Sequence, residues 1–287
     1  MNISHMKILS STLALVAVFV VSACRSTPTR RVDSNAYDVV IWRATSAGIA
    51  AAVQARRMGK SVVVFEASRF LGGLTTGGLG ATDVGNKDAI GGISRDFDRA
   101  LRAHYARPQS WVQETREAFK GRGHHESPDA AWTFEPKVAT AVYEAWIREH
   151  GIEVRREVKL DLRKGIEFSP DLKRSEGPRI AALYDIEGRR YAGRAFIDAS
   201  YEGDLLPLAG VDFMLGREAN REFQETLNGV QRARAKHHQF VRKVDPYRQR
   251  GDKASGLLPG IAARAPGPDG SADRCIQAYC YRLCATD

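Results

Sequence analysis

The chain has 287 residues, a hydrophobic share of 43% and a formal charge of +9. That length holds one large or two modest domains, and the apolar content is ordinary for a globular protein, so a chain too small or too polar to bury a core is excluded. The basic residues are dispersed; their densest cluster, Arg232-Ala233-Arg234-Ala235-Lys236-His237-His238, has no nucleic-acid-binding motif around it and reads as a solvated helix face, with an anionic substrate or membrane surface as the next reading and no nucleic-acid partner expected.

The first 23 residues read as an address. Lys7 supplies a positive start, and residues 8–21 form an apolar stretch too short for a comfortable span of a bilayer. The stretch ends in Val21-Ser22-Ala23-Cys24, which resembles a bacterial lipobox. The resemblance implies that Cys24 is lipidated and becomes the mature N-terminus, with several acyl chains anchoring the protein to a membrane. Arg25 at the next position leans toward the periplasmic side of an outer membrane, and residues 24–36 are expected to form a short tether. An ordinary secretory signal with a chance cysteine is the alternative.

Residues 37–66 have the pattern of a strand, a helix and a second strand. The run Tyr37-Asp38-Val39-Val40-Ile41-Trp42 suits a strand buried on both faces of a parallel sheet. After the turn Arg43-Ala44-Thr45-Ser46-Ala47-Gly48, residues 49–58 carry Ala50, Ala51, Ala52 and Ala55, which favour a helix with a slim face. Gly59 stands where a helix ends, and Ser61-Val62-Val63-Val64-Phe65 forms the second strand, closed by Glu66. A right-handed crossover of this kind leaves backbone amides of Thr45, Ser46, Ala47 and Gly48 at the helix mouth for a pyrophosphate. Glu66, followed by Ala67, is placed to accept from ribose hydroxyls. The positions of a G-x-G-x-x-G turn hold Arg43, Thr45 and Gly48, so only the last glycine is kept.

Further along, residues 95–105 predict a helix with Phe97, Leu101 and Tyr105 on one side. Phe134-Glu135-Pro136 opens another helix, which Gly151 ends. Residues 152–154 and 157–160 read as short strands, residues 179–184 and 189–191 as a hairpin around Glu187-Gly188, and residues 194–199 as a further buried strand. Tyr201-Glu202-Gly203-Asp204 is expected to cap a helix over 205–209, a role preferred over a carboxylate pair of Glu202 and Asp204. Trp111, Trp132 and Trp146 read as packing residues. The pairs His124-His125 and His237-His238 read as surface histidines, and no metal site is expected, since adjacent helical residues do not face one side. Besides Cys24 there are Cys275, Cys280 and Cys284, whose spacing fits no zinc pattern; they read as structural thiols.

The loop after Glu66 sharpens this reading. Arg69 and the pair Gly72-Gly73 resemble the second fingerprint of flavoproteins with two dinucleotide-binding domains. A series follows in order: Asp83-Val84-Gly85-Asn86, Ala89-Ile90-Gly91-Gly92, Phe134-Glu135-Pro136, Phe196-Ile197-Asp198-Ala199-Ser200-Tyr201-Glu202-Gly203-Asp204-Leu205, Gly216-Arg217-Glu218-Ala219-Asn220, Leu227-Asn228-Gly229-Val230-Gln231, Val244-Asp245-Pro246-Tyr247 and Ser255-Gly256-Leu257-Leu258-Pro259-Gly260. Together they are similar to the bacterial FAD-dependent oxidoreductase family often found in polysaccharide-degrading genomes and sometimes labelled xanthan-lyase-like.

The resemblance implies an α/β fold: a Rossmann-like FAD/NAD(P)-binding domain with a parallel central sheet, discontinuous over 37–211 with a helical insertion at about 81–130, then part of a substrate domain over 212–287. It implies FAD as cofactor, Val158 as a backbone contact to adenine, and Ala199 in a turn beside the cofactor. A small-molecule donor, sugar-derived on the family's genomic company alone, would pass a hydride to the flavin, with an electron acceptor that the sequence does not name. No catalytic residue is assigned. Two departures stand out. Family members usually have two glycines at Arg43-Ala44, and they continue beyond the last residues here to return to the cofactor domain. A truncated enzyme is therefore expected, with a non-catalytic lipoprotein remnant that no longer binds FAD as the alternative. An NAD-binding enzyme is the weaker third reading.

Overall fold

A computed structural model describes residues 36–81, 85–120, 123, 127–170, 177–236 and 240–276. The leader, Cys24, both histidine pairs, Cys280 and Cys284 lie outside the described residues.

The chain runs β1 (Tyr37–Trp42), α1 (Ser46–Arg57), β2 (Val62–Glu66), α2 (Gly92–Tyr105), α3 (Pro136–Glu149), β3 (Glu153–Arg156), β4 (Ile166–Phe168), β5 (Ile180–Tyr184), β6 (Arg190–Asp198), α4 (Leu205–Leu208), α5 (Asn220–Phe223), β7 (Tyr247–Gln249) and β8 (Asp252–Leu257). The first six strands form one sheet in the order β3-β2-β1-β6-β5-β4. β1 is parallel to both β2 and β6, and β3 is parallel to β2. β5 and β4 continue the sheet antiparallel. The fold is α/β, with a central parallel sheet of Rossmann-like order.

The unbroken apolar runs of β1 and β2 follow from burial on both faces. Ile41, Val62 and Val64 point into one cluster with Ile49, Val53, Leu101, Tyr143 and Trp146 of the helical layer. Val40, Trp42, Val63 and Phe65 point the other way, against Leu183, Tyr191 and Leu205. Ile41, Val63, Val64 and Phe65 are at most 1% exposed, so each contributes roughly 1.5–3 kcal/mol of burial. Ala52, fully buried, is the slim contact that lets α1 lie close to the sheet. α1 stops at Arg57, and Gly59 two residues on turns the chain with a φ of 72° that a side chain would resist. The Arg56 Nε donates to the His150 carbonyl at 2.8 Å and ties the end of α1 to the end of α3.

α2 begins at Gly92, a turn earlier than the expected 95, and buries Phe97, Leu101 and Tyr105 as the spacing requires. Phe97 stacks on Tyr143 with centroids 5.0 Å apart. Trp132 and Trp146 are buried, and Trp111 donates to the Tyr105 carbonyl at 2.9 Å, all packing roles.

Two expectations need correction, and one strand was missed. Residues 157–160 form no strand: Glu157 has φ 58°, which breaks the extended run, and only Leu160 bridges Asp185. The runs at 189–191 and 194–199 are one nine-residue strand, β6, whose first half pairs with β5 and whose second half pairs with β1. β4 was not foreseen; its Glu167 accepts both Arg190 Nε and NH2 at 2.8 Å, which holds that carboxyl down at about 2.

Candidate functional site

β1 lies between two parallel neighbours, β2, which the chain reaches through α1, and β6, to which it returns only after crossing to the far side of the sheet, so the carboxyl end of β1 is a topological switch point, where open α/β sheets bind ligands. There the chain leaves β1 through Arg43, whose φ is 77°. Thr45 then caps α1: its hydroxyl oxygen accepts from the Gly48 amide at 3.3 Å and its proton goes to the Ala199 carbonyl at 2.8 Å. A methyl on Gly48 would overlap the Arg43 carbonyl oxygen and press on the Ala199 side chain, so this glycine is required by the closeness of turn, helix and β6. Ile49 donates to the Thr45 carbonyl. Gly48 and Ile49 thus spend their amides inside the turn, on the Thr45 side chain and carbonyl.

Glu66, 5% exposed, closes β2. Its Oε2 accepts from the Ala44 amide at 3.0 Å and its Oε1 from the Ser68 amide at 2.9 Å, so the carboxylate is locked in place with lone pairs still to offer. The Arg43 NH1 stands 3.6 Å from Oε1.

The glycine loop after Arg69 folds back beside the β1–α1 turn. The Gly72 amide donates to the Ala44 carbonyl at 2.7 Å, and Thr45 and Gly72 form a parallel bridge. Ser46 Oγ donates to the Gly72 carbonyl at 3.2 Å and lies 2.6 Å from Thr75 Oγ1. Gly72 has φ 89°, and a side chain there would strike Thr76 and the Tyr143 ring. Tyr143 lies behind this cluster; burial pushes its phenol up, opposed by the Ser46 and Thr75 hydroxyls. Tyr201 crosses the loop, its hydroxyl accepting from the Leu74 amide at 2.8 Å.

These pieces border a groove of about 720 Å³. Of the residues expected at the site, it brings together Thr45, Glu66, Arg69 and Gly73, with Arg43 among them. Ser46, Ala47, Gly48 and Gly72 support it from the helix mouth and the loop beneath. Ala67 is half-buried against the sheet core behind Glu66. Val158 is packed in the core, and its amide donates to the Glu66 carbonyl at 3.1 Å. Ala199 is buried under the turn. Sequence reasoning missed Thr140 and Glu144 of α3, Arg156 of β3, and Tyr201, which complete the wall. Tyr201 follows the end of β6 within a quoted motif, which was its only sequence signal. Arg156 is paired with Glu144 at 2.5 Å, whereas Arg69 lies over the Phe70 ring.

The Glu202–Asp204 segment does not cap α4 as expected. Asp198 Oδ2 accepts from the Leu205 amide at 2.7 Å, while Asp204 accepts from the Trp42 indole at 2.8 Å. The carboxylate at the strand end reaches the helix first because Ser200 bends the chain back, its hydroxyl receiving the Gly203 and Asp204 amides. Cys275 is an exposed free thiol. Among the described residues, no group of three or more His, Cys, Asp or Glu side chains is placed to hold a metal ion.

A switch point with a helix mouth, a fixed carboxylate on the second strand and a glycine loop between them defines a dinucleotide-binding domain of the Rossmann type. The model of the FAD dependent oxidoreductase family matches residues 38–287, and the chain belongs to that family, whose cofactor is FAD. No curated protein sequence matches the chain. Among solved structures it is similar to AlpK (20% identity, TM-score 0.38, 64% of this chain and 35% of that one). It is also similar to a flavin-containing monooxygenase from Stenotrophomonas maltophilia (16%, 0.34, 57% and 38%) and to Thermovibrio ammonificans THI4 (15%, 0.42, 63% and 66%). The chain thus spans about a third of the length of the first two.

The residues present suit this cofactor. Gly48 and Gly72 keep the backbone bare where turn, helix and loop meet, and Thr45 at the start of α1 lines the same groove as Glu66, Arg69 and Gly73.

Proposed function

We propose that the chain serves an FAD-dependent oxidoreductase of the bacterial cell envelope that takes electrons from a small molecule. The observation that carries this reading is the carboxylate of Glu66, fixed by two amides at the rim of the groove that Thr45, Arg69 and Gly73 share. Glu66 accepts hydrogen bonds from the ribose hydroxyls, the positive end of α1 holds the diphosphate, and Arg69 adds charge at the rim. Gly73, whose missing side chain makes room for the Tyr201 hydroxyl, borders the same groove. When bound, the flavin supplies two-electron oxidation of the donor. The residues of this chain position it and exclude water along the buried base of the loop. A sugar-derived alcohol is the donor class we favour, on the family's genomic company, and the electron acceptor is a separate partner.

Attachment through Cys24 completes the proposal. Cys24→Ser is expected to move the protein from the membrane to the soluble fraction; a variant that stays membrane-bound removes the anchor.

A second reading, a lipoprotein that keeps the sheet without flavin, is favoured by one observation: the Arg43 guanidinium lines the groove beside Glu66. Purification of the mature chain separates the two. Flavin absorbance, with FAD in the heat-released supernatant, supports the enzyme. A colourless protein that stays colourless after incubation with FAD supports the remnant.

A further inference from the structure

Arg43 is costly where it stands. Its φ of 77° lies in the left-handed region, where a side chain is strained and a glycine is not. Its guanidinium is also poorly satisfied. NH1 is 3.6 Å from the Glu66 carboxylate, beyond hydrogen-bond length, the Nε is buried without a partner, and the group lies 5.9 Å from the centre of the Trp42 ring. The cation is near its counter-charge yet not locked to it. Glu66, by contrast, is held by two amides and does not need Arg43 to keep its place.

The electrostatics of the helix mouth show what a mobile cation would do. A dinucleotide brings two negative charges to the start of α1, where the helix dipole offers about half a positive charge. Glu66 borders the same groove and repels them. The Arg43 carbonyl touches the helix at Gly48, so the arginine is rooted at that mouth, and its guanidinium lines the groove.

We propose that Arg43 is an exchangeable counter-charge for the adenosine diphosphate half of the cofactor. In the free protein it neutralises Glu66. On binding it turns to the diphosphate, and Glu66 is released to the ribose hydroxyls. Arg43 then faces an anion before and after binding, Glu66 exchanges the cation for hydroxyl donors, and the strained backbone is explained by the need for a cation at this one position. This inference rests on the FAD reading.

Calorimetric titration of the mature protein with ADP, adenosine and FAD, at low and moderate salt, tests it. Arg43→Met keeps the strained backbone and loses the charge; Arg43→Gly loses both. Both variants are expected to bind ADP and FAD about tenfold or more weakly, with a shallower salt dependence, while adenosine affinity does not fall. Arg43→Gly is also expected to melt higher, which shows that the lost affinity is not lost folding. Equal or tighter ADP binding by the variants overturns the inference and leaves the FAD reading standing, with the arginine a bystander or a plug. If neither wild type nor variants bind ADP or FAD, the FAD reading falls and the inference with it.

Discussion

The Thr45 hydroxyl donates to the Ala199 carbonyl at 2.8 Å while accepting from the Gly48 amide. One side chain thus joins the end of β6 to the mouth of α1 across the switch point. Thr45→Val keeps the branched shape and removes both bonds. It is expected to destabilise the fold by about 1–3 kcal/mol, with Thr45→Ser close to wild type; urea denaturation monitored by circular dichroism reads the difference.

Gly48→Ala sets helix propensity against packing. On propensity alone alanine would stabilise α1 by about 1 kcal/mol. The methyl would instead meet the Arg43 carbonyl oxygen, which is backbone and has little room to retreat. A net loss of stability is expected, together with weaker flavin retention. A higher unfolding midpoint would show that the turn relaxes freely.

Asp98 is a buried carboxyl on α2, pushed up to about 6 chiefly by its burial, with Arg95 pulling the other way. Because the folded form holds its proton more tightly than the unfolded chain, this group's contribution is most favourable below about pH 4 and is lost as pH rises through about 6. Asp98→Asn is therefore expected to raise the melting temperature at pH 7–8, by an amount equivalent to about 2–3 kcal/mol, and to flatten the melting profile between pH 4 and 6. An unchanged profile would place the proton elsewhere.

Tyr201 closes the glycine loop through its hydroxyl on the Leu74 amide. Tyr201→Phe is expected to weaken FAD binding a few-fold with little change in melting temperature, as suits one hydrogen bond at a half-exposed rim. Fluorescence titration with FAD checks it; a large drop in melting temperature would assign the residue to the core instead.

Much of the cofactor half was legible because its constraints are local. The doubly buried β1 and β2 require unbroken apolar runs, α1 requires small residues, and Glu66 closes its strand in plain view. The wall formed by Thr140, Glu144 and Arg156 was not legible, since it depends on how α3 and β3 lie against the groove, and nothing in their spacing distinguishes a groove face from a solvent face. The split role of β6, parallel to β1 and antiparallel to β5, reads in sequence as two strands because Gly193 interrupts the apolar run; in the fold, the missing side chain makes room for Val40 and Phe196. The substitution of arginine for glycine at position 43 was visible at once, but its left-handed backbone and its place beside Glu66 needed three dimensions.

The account turns on Glu66 as the acceptor for the ribose of FAD. Fluorescence titration of wild type and Glu66→Gln with FAD measures this most directly, with circular dichroism confirming that both are folded. Wild-type saturation and at least a tenfold weaker variant is the expected result. Equal affinities, or no binding by the folded wild type, would contradict it.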